Sequence, residues 1–307
     1  MMYDYIYEES LKRAKHKIWI MSDLQQGNPD NAKECMDISM ADFEQLGSPA
    51  DMIWYLGDSV EGKTFDHLVK MCAMQEEAFS KTGLPLCYAL GNHDLDYMKA
   101  ESQIGKAPCI PFYEMVKNHK GWYTTASYTD PYFKLPLGDF TVYFFSDHVA
   151  EDKEWWTTHG VIHGNKEAYP YHDMFEKIRE EMHAEAGPVI TVSHYAYLGG
   201  NRESQLQSEV LPLPDNVKIH FYGHAHIGDF FWVKKDAYRR ISWVDWHDIA
   251  QINVSSFEHI RGKKCRSVFL HIYEDNSMGI FFRNHDDREF SEVYFPAKNN
   301  YEQEFGL

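Results

Sequence analysis

The chain reads as an α/β protein built on a largely parallel sheet, and three observations carry that expectation. Its opening third alternates short apolar runs with helix-patterned segments in a β-α-β-α-β series, an order that favours parallel strands with helices packed on them. Clusters of Asp, Asn and His follow one strand after another, and in such sheets the carboxyl ends of strands form the edge where ligands bind. With 307 residues, 44% hydrophobic and 25% charged, the chain can bury a large core and lacks the composition of a disordered one.

Taken in order, residues 17–21 (KIWIM) predict a buried strand, 36–46 a helix and 52–56 (MIWYL) a second strand. Over 64–80 the apolar positions Phe65, Leu68, Met71, Cys72 and Phe79 keep near-helical spacing, and Gly83 is placed to stop the helix. Residues 84–90 are the third strand. The middle is less regular, with a strand over 140–145 and a helix over 171–186 that leads into a strand at 189–193. After the run at 217–222 the pattern turns β-rich, at 229–233, 240–243, 267–273 and 278–283. A second sheet or an antiparallel extension would accommodate that tail. No repeat, low-complexity tract or Gly/Ser linker marks a boundary, so one domain over 1–307 is expected. Its core spans about 15–230, with the β-rich part from about 228 to 307 packed on it.

Charge narrows the partners. Thirty Lys+Arg against 47 Asp+Glu give a net −17, a field that opposes nucleic acid and anionic membrane, so neither is expected as a partner. No residue pattern sets an oligomeric state. The first residues carry acids ahead of their basic cluster and read as no signal peptide, and no run of 18 apolar residues occurs. Cys35, Cys72, Cys87, Cys109 and Cys265 are scattered and odd in number. Reduced thiols in a cytoplasmic protein are the expectation.

The polar clusters are Ser22-Asp23-Leu24-Gln25, Gly57-Asp58, Gly91-Asn92-His93-Asp94, Ser193-His194 and Gly223-His224-Ala225-His226. Each alone has a plainer reading: a turn cap for Asp23, a turn for Gly57-Asp58, a hydrogen-bonded core histidine for His194. Together they supply what a two-metal centre needs. Mixed oxygen and imidazole donors suit Mn²⁺, Fe or Zn²⁺ better than Mg²⁺ or Ca²⁺.

These clusters resemble the calcineurin-like metallophosphoesterases, whose pattern runs D-x-H, G-D, G-N-H-[DE], H and G-H-x-H. The intervals here are 35 residues from Asp23 to Asp58, 34 to Asn92, 102 to His194 and 30 to His224. A chance G-H-x-H in about 300 residues is roughly a one-in-a-hundred event and G-N-H-D roughly one in a thousand, so their ordered occurrence is specific. The resemblance implies a four-layer α/β/β/α sandwich with two mixed β-sheets and the metals at the strand ends. It further implies that Asp58 bridges two divalent or trivalent ions, with Asp23 and His226 on the first and Asn92, His194 and His224 on the second. His93 is then no ligand but sits near the leaving-group oxygen, with Asp94 orienting its ring.

The implied activity is hydrolysis of a phosphomonoester or phosphodiester, preferably a small molecule, with a metal-bridging hydroxide as nucleophile. Asn92, Arg202 and Lys63 are candidate phosphate contacts, and loops within 97–132 and 149–172 are expected to set specificity. Trp155, Trp156, Trp232, Trp243 and Trp246 read as core or rim packing. One position departs from the family pattern. Gln25 stands where His is usual, and its neutral carbonyl is a weaker donor. The first site is therefore expected to be weaker, or filled with substrate present, and loss of catalysis in a metal-binding protein is one alternative.

A second alternative lies within 57–64, where Gly57 to Thr64 fits the P-loop pattern G-x-x-x-x-G-K-[ST], with Asp147 as the magnesium acid. That reading would make the protein an ATPase or GTPase. Against it, Asp58 and Glu61 inside the loop would repel the phosphate. It also leaves the later clusters unexplained.

Overall fold

In β1 (His16–Met21), Trp19 and Met21 join one buried cluster while Ile18 and Ile20 join another. The same period of two runs through β2 (Met52–Tyr55), with Ile53 and Tyr55 on one side and Trp54 on the other. Strands buried on both faces must lie between two layers. The computed structural model describes residues 2–25, 27–61, 64–91, 93–95, 110–125, 132–145, 171–194, 213–224, 226, 241–244, 249–260 and 264–296.

Two mixed sheets stack through the second cluster. Beside β1 and β2, the first sheet contains β3 (Leu86–Tyr88), β4 (Trp122–Thr124), β11 (Arg266–Ile272), β12 (Met278–Asn284) and β13 (Glu289–Tyr294), in the order β13-β12-β11-β1-β2-β3-β4. The second runs β5-β6-β7-β8-β10-β9, from β5 (Tyr132–Leu137), β6 (Phe140–Phe145), β7 (Val189–Val192), β8 (Val217–Tyr222), β9 (Ile241–Val244) and β10 (Ile249–Asn253). β1 to β4 are parallel, as are β6, β7, β8 and β10, and the remaining pairs are antiparallel. Trp54 joins the sheets, with its ring edge-on to Phe144 at 5.3 Å and Phe221 at 5.9 Å.

Helices α1 (Met2–Arg13), α2 (Pro29–Gln45) and α3 (Phe65–Ser80) cover the outer face of the first sheet, contributing Ile6, Tyr7, Phe43, Leu68 and Phe79 to its cluster. Trp19 is stacked on Phe43 at 4.3 Å and on Phe269 at 6.1 Å. On the second sheet's outer face, the helix Tyr171–Ala184 buries Ile178 and Met182. It is tied down by Asn216 Nδ2 donating to Met182 O and by Tyr143 OH donating to Glu185 just beyond its end.

The structure departs from the sequence reading in particular places. Helix α2 starts at Pro29 rather than 36, because Asn28 caps it, its side chain accepting the Asp30 N–H, and Pro29 begins the first turn. The third strand shortens to Leu86–Tyr88. The tail takes both expected courses: β11 to β13 extend the first sheet antiparallel, while β9 and β10 join the second. The run at 229–233 lies outside the described residues. Among the described residues, no helix is long and apolar enough to cross a membrane.

Candidate metal centre

Parallel pairing points the carboxyl ends of β1, β2 and β3, and of β7, β8 and β10, toward one region. The loops there are strained. Asp23 (φ 61°), Asp58 (φ 53°), His224 (φ 61°) and His226 (φ 45°) all adopt left-handed backbone, which costs a non-glycine residue about 1–3 kcal/mol and collects at functional sites. Glycines let these turns touch: a Cβ on Gly91 would collide with Asp58 Oδ1, and one on Gly223 with Ser22 Oγ. Backbone bonds then zip the turns together, Asp23 N–H to Gly57 O and Gln25 N–H to Asp58 O, both at 3.0 Å.

Two groups of donors result. The ligand atoms of Asp58, His194 and His224 lie within 4.8 Å of one another, and so do those of Asp23, Asp58 and His226. Asp58 belongs to both. Its Oδ2 is 3.1 Å from His194 Nε2, and its Oδ1 accepts the His93 backbone N–H at 2.8 Å. His194 Nδ1 lies 2.7 Å from Leu56 O. A carbonyl only accepts, so that nitrogen carries the proton and Nε2 keeps its lone pair toward Asp58. Asp23 Oδ2 accepts the His224 N–H at 2.9 Å, while buried Oδ1 accepts no hydrogen bond among the described residues and faces His226 Nε2 at 3.3 Å. Converging oxygens and imidazole nitrogens of this kind fit a pair of cations.

Burial works to raise Asp58, but its contact with His194, and after it the nearby His93 and His224, outweigh burial and hold the carboxyl below the usual range. Asp94 behaves oppositely: burial and the Asp58 charge push it up to about 8. Cations held by Asp58 would oppose that rise.

Residues 16–228 match the model of the calcineurin-like phosphoesterase family, more than half of the chain. The chain belongs to this family. It is a metal-dependent phosphoesterase, and the alternative of a protein that only binds metal gives way to an enzyme. Among solved structures, the fold is similar to that of a dimetal phosphatase from Danio rerio, with a TM-score of 0.62 at 10% identity over 92% of this chain and 98% of that one. A purple acid phosphatase from yellow lupin (Lupinus luteus) seeds matches at a TM-score of 0.47 and 12% identity, over 91% of this chain and 53% of that one. No curated protein matches the chain in sequence.

Within this phosphoesterase, the structure brings together Asp23, Gln25, Asp58, His93, Asp94, His194, His224 and His226. Gln25 places its side-chain amide against His226 Nε2. Asn92, Arg202, Lys63 and Asp147 lie outside the described residues, as do Trp155, Trp156, Trp232 and Trp246. The role expected for Asp94 needs correction. Instead of orienting the His93 ring, its carboxylate accepts the backbone N–H groups of Gly91 (2.8 Å), Asp58 (3.0 Å) and Ser59 (2.8 Å). Those bonds also count against the P-loop alternative, since the Asp58 and Ser59 amides within that pattern are already taken. Thr64, the last residue of that pattern, caps α3 by accepting the His67 N–H.

Sequence reasoning missed the turn after β10. Glu258 is buried with Oε1 3.7 Å from His226 Nδ1, and Ser256 Oγ donates toward Glu258 and toward Asp23 O, each at 3.3 Å. A carboxylate behind a candidate metal-binding imidazole orients the ring and raises its basicity. The available signal was a polar run, Asn253 to Glu258, directly after a strand. Gln251 broke the apolar pattern that would have marked that strand.

Proposed function

We propose that the protein hydrolyses a small-molecule phosphomonoester or phosphodiester at two cations, one held by Asp23, Gln25, Asp58 and His226, the other by Asp58, Asn92, His194 and His224. The observation that carries this reading is the pair of donor groups sharing the Asp58 carboxylate. Bound there, two cations supply Lewis acidity toward the phosphate oxygens and ionise a water for in-line attack. The mixed donors favour Mn²⁺, Fe or Zn²⁺.

The chain's own residues do the positioning. Leu56 O fixes the His194 tautomer, Asp94 fastens the Gly91 turn to the Asp58 turn, and Glu258 stands behind His226. The Asp58 carboxylate pins the His93 backbone, keeping that imidazole beside the shared carboxylate, where it gives a proton or a charged hydrogen bond to the leaving oxygen. Amide oxygen and nitrogen of Gln25 exchange by a simple flip, so its carbonyl serves as the donor that His supplies elsewhere in the family. The net charge of −17 favours a small ester over a polyanion. Cys35, Cys72, Cys87 and Cys265 are in no disulfide, which suits a reducing, cytoplasmic setting.

The test is Mn²⁺-dependent turnover of p-nitrophenyl phosphate and bis(p-nitrophenyl) phosphate. His93→Ala is expected to lower kcat by about 10²–10⁴-fold with KM little changed. Undiminished kcat in that variant would remove His93 from the mechanism.

A further inference from the structure

Away from the phosphoesterase centre, three segments distant in sequence bring a second donor set together. Cys35 lies on α2, His259 and Cys265 on the segment between β10 and β11, and their ligand atoms all fall within 4.8 Å of one another. Cys265 Sγ is 3.3 Å from His259 Nε2. Asp286, on the turn between β12 and β13, directs Oδ1 to the same Nε2 at 2.7 Å, while its Oδ2 accepts the Cys265 N–H.

We infer that Cys35, His259 and Cys265, with Asp286 beside them, form a structural site for a soft divalent cation, zinc by preference. Two sulfurs and one imidazole converge, and the Asp286 carboxylate stands beside them, where it would supply the fourth donor that a structural zinc takes. With Zn–S near 2.3 Å and Zn–N near 2.0 Å, tetrahedral sulfur and nitrogen stand about 3.5 Å apart, close to the 3.3 Å between Cys265 and His259. Both cysteines are fully buried, and neither is in a disulfide. His259 and Asp286, about a third and a quarter exposed, leave a way in for the ion.

Such a cation would fasten α2, the β10–β11 segment and the β12–β13 turn to one another. The β10–β11 segment is the one that carries Ser256 and Glu258 behind His226, so the site stiffens the back of the phosphoesterase centre without taking part in its chemistry.

Cobalt provides the test. Metal-stripped, reduced full-length protein is titrated with Co²⁺ while absorbance is followed. The phosphoesterase centre offers only oxygen and nitrogen donors, so a thiolate-to-cobalt charge-transfer band in the near ultraviolet reports the second site alone. The expected result is one equivalent of that band per chain, displaced by Zn²⁺ and lost in Cys35→Ser. It is lost as well in His259→Ala, where the change is at a partly exposed residue and circular dichroism checks the fold. Absence of the band from reduced wild-type protein overturns the inference. So does a band that survives in folded His259→Ala, or a Cys35–Cys265 disulfide in protein purified under reductant.

Discussion

Asp58 carries three tasks with one carboxylate and its backbone: it faces His194, it pins the His93 backbone, and its own N–H is held by Asp94. Replacing one oxygen by an amide in Asp58→Asn removes the shared charge, and turnover is expected to vanish while the fold persists. Glu258→Gln acts more gently. Removing the charge behind His226 is expected to weaken metal affinity by about 10–100-fold, read from the Mn²⁺ dependence of activity; an unchanged dependence would deny Glu258 its supporting role. Most of these residues are legible in the sequence because each ligand cluster directly follows an apolar run. Glu258 was not, since its strand is interrupted by Gln251. The orienting role that the family resemblance implies for Asp94 is not what the fold gives it, since its carboxylate meets three backbone amides instead.

At the level of elements, the site depends on turns that touch without side chains between them. Gly91→Ala drives a Cβ into Asp58 Oδ1, and is expected to lower stability by about 1–3 kcal/mol and to loosen metal binding, by denaturant titration with and without Mn²⁺. A Gly91→Ala protein with wild-type metal affinity would contradict the packing described. The helices and strands that framed these turns were read where periodicity was strong. α1 escaped because it buries only Ile6, Tyr7 and Ser10, too few apolar positions to set a period. β4 is three residues long, and β5 contains Pro136, which argues against a strand until its edge position is known.

Across the whole molecule, α2 is locked to β12 through a buried ionic cluster. Asp42 accepts from Arg283 Nε at 2.8 Å and Nη2 at 2.7 Å, with His285 Nδ1 at 2.7 Å. Asp42→Ala leaves the buried guanidinium with only Asp4, 3.5 Å away, and is expected to cost about 3 kcal/mol. Acid acts on the same layer. His271, packed by Tyr7 and hydrogen-bonded to Ser10, is pushed down to about 3, by burial first and then by Lys17. An unfolded histidine titrates near 6.5, so below that pH the unfolded chain binds a proton that the fold refuses. Stability is expected to fall with pH by up to about 1.4 kcal/mol per unit between about 6.5 and 3. Urea midpoints at pH 7 and pH 5 check this, and equal midpoints would contradict it. Burial works to raise Asp42, but Arg283 and His285 hold it below the ordinary carboxylate range, so its contribution is lost only at still lower pH. The sequence foresaw two mixed sheets through a family resemblance. Strand patterns alone did not assign the tail, because alternation marks a strand's faces and not the sheet it joins.

The central claim is a two-cation centre that hinges on one shared carboxylate. Calorimetric titration of the metal-stripped protein with Mn²⁺ tests it most directly, since a hard cation passes over the thiolate site. Two sites per chain are expected in the wild type, one in His224→Ala and neither in Asp58→Asn. A single site in the wild type, or two that persist in Asp58→Asn, would contradict it.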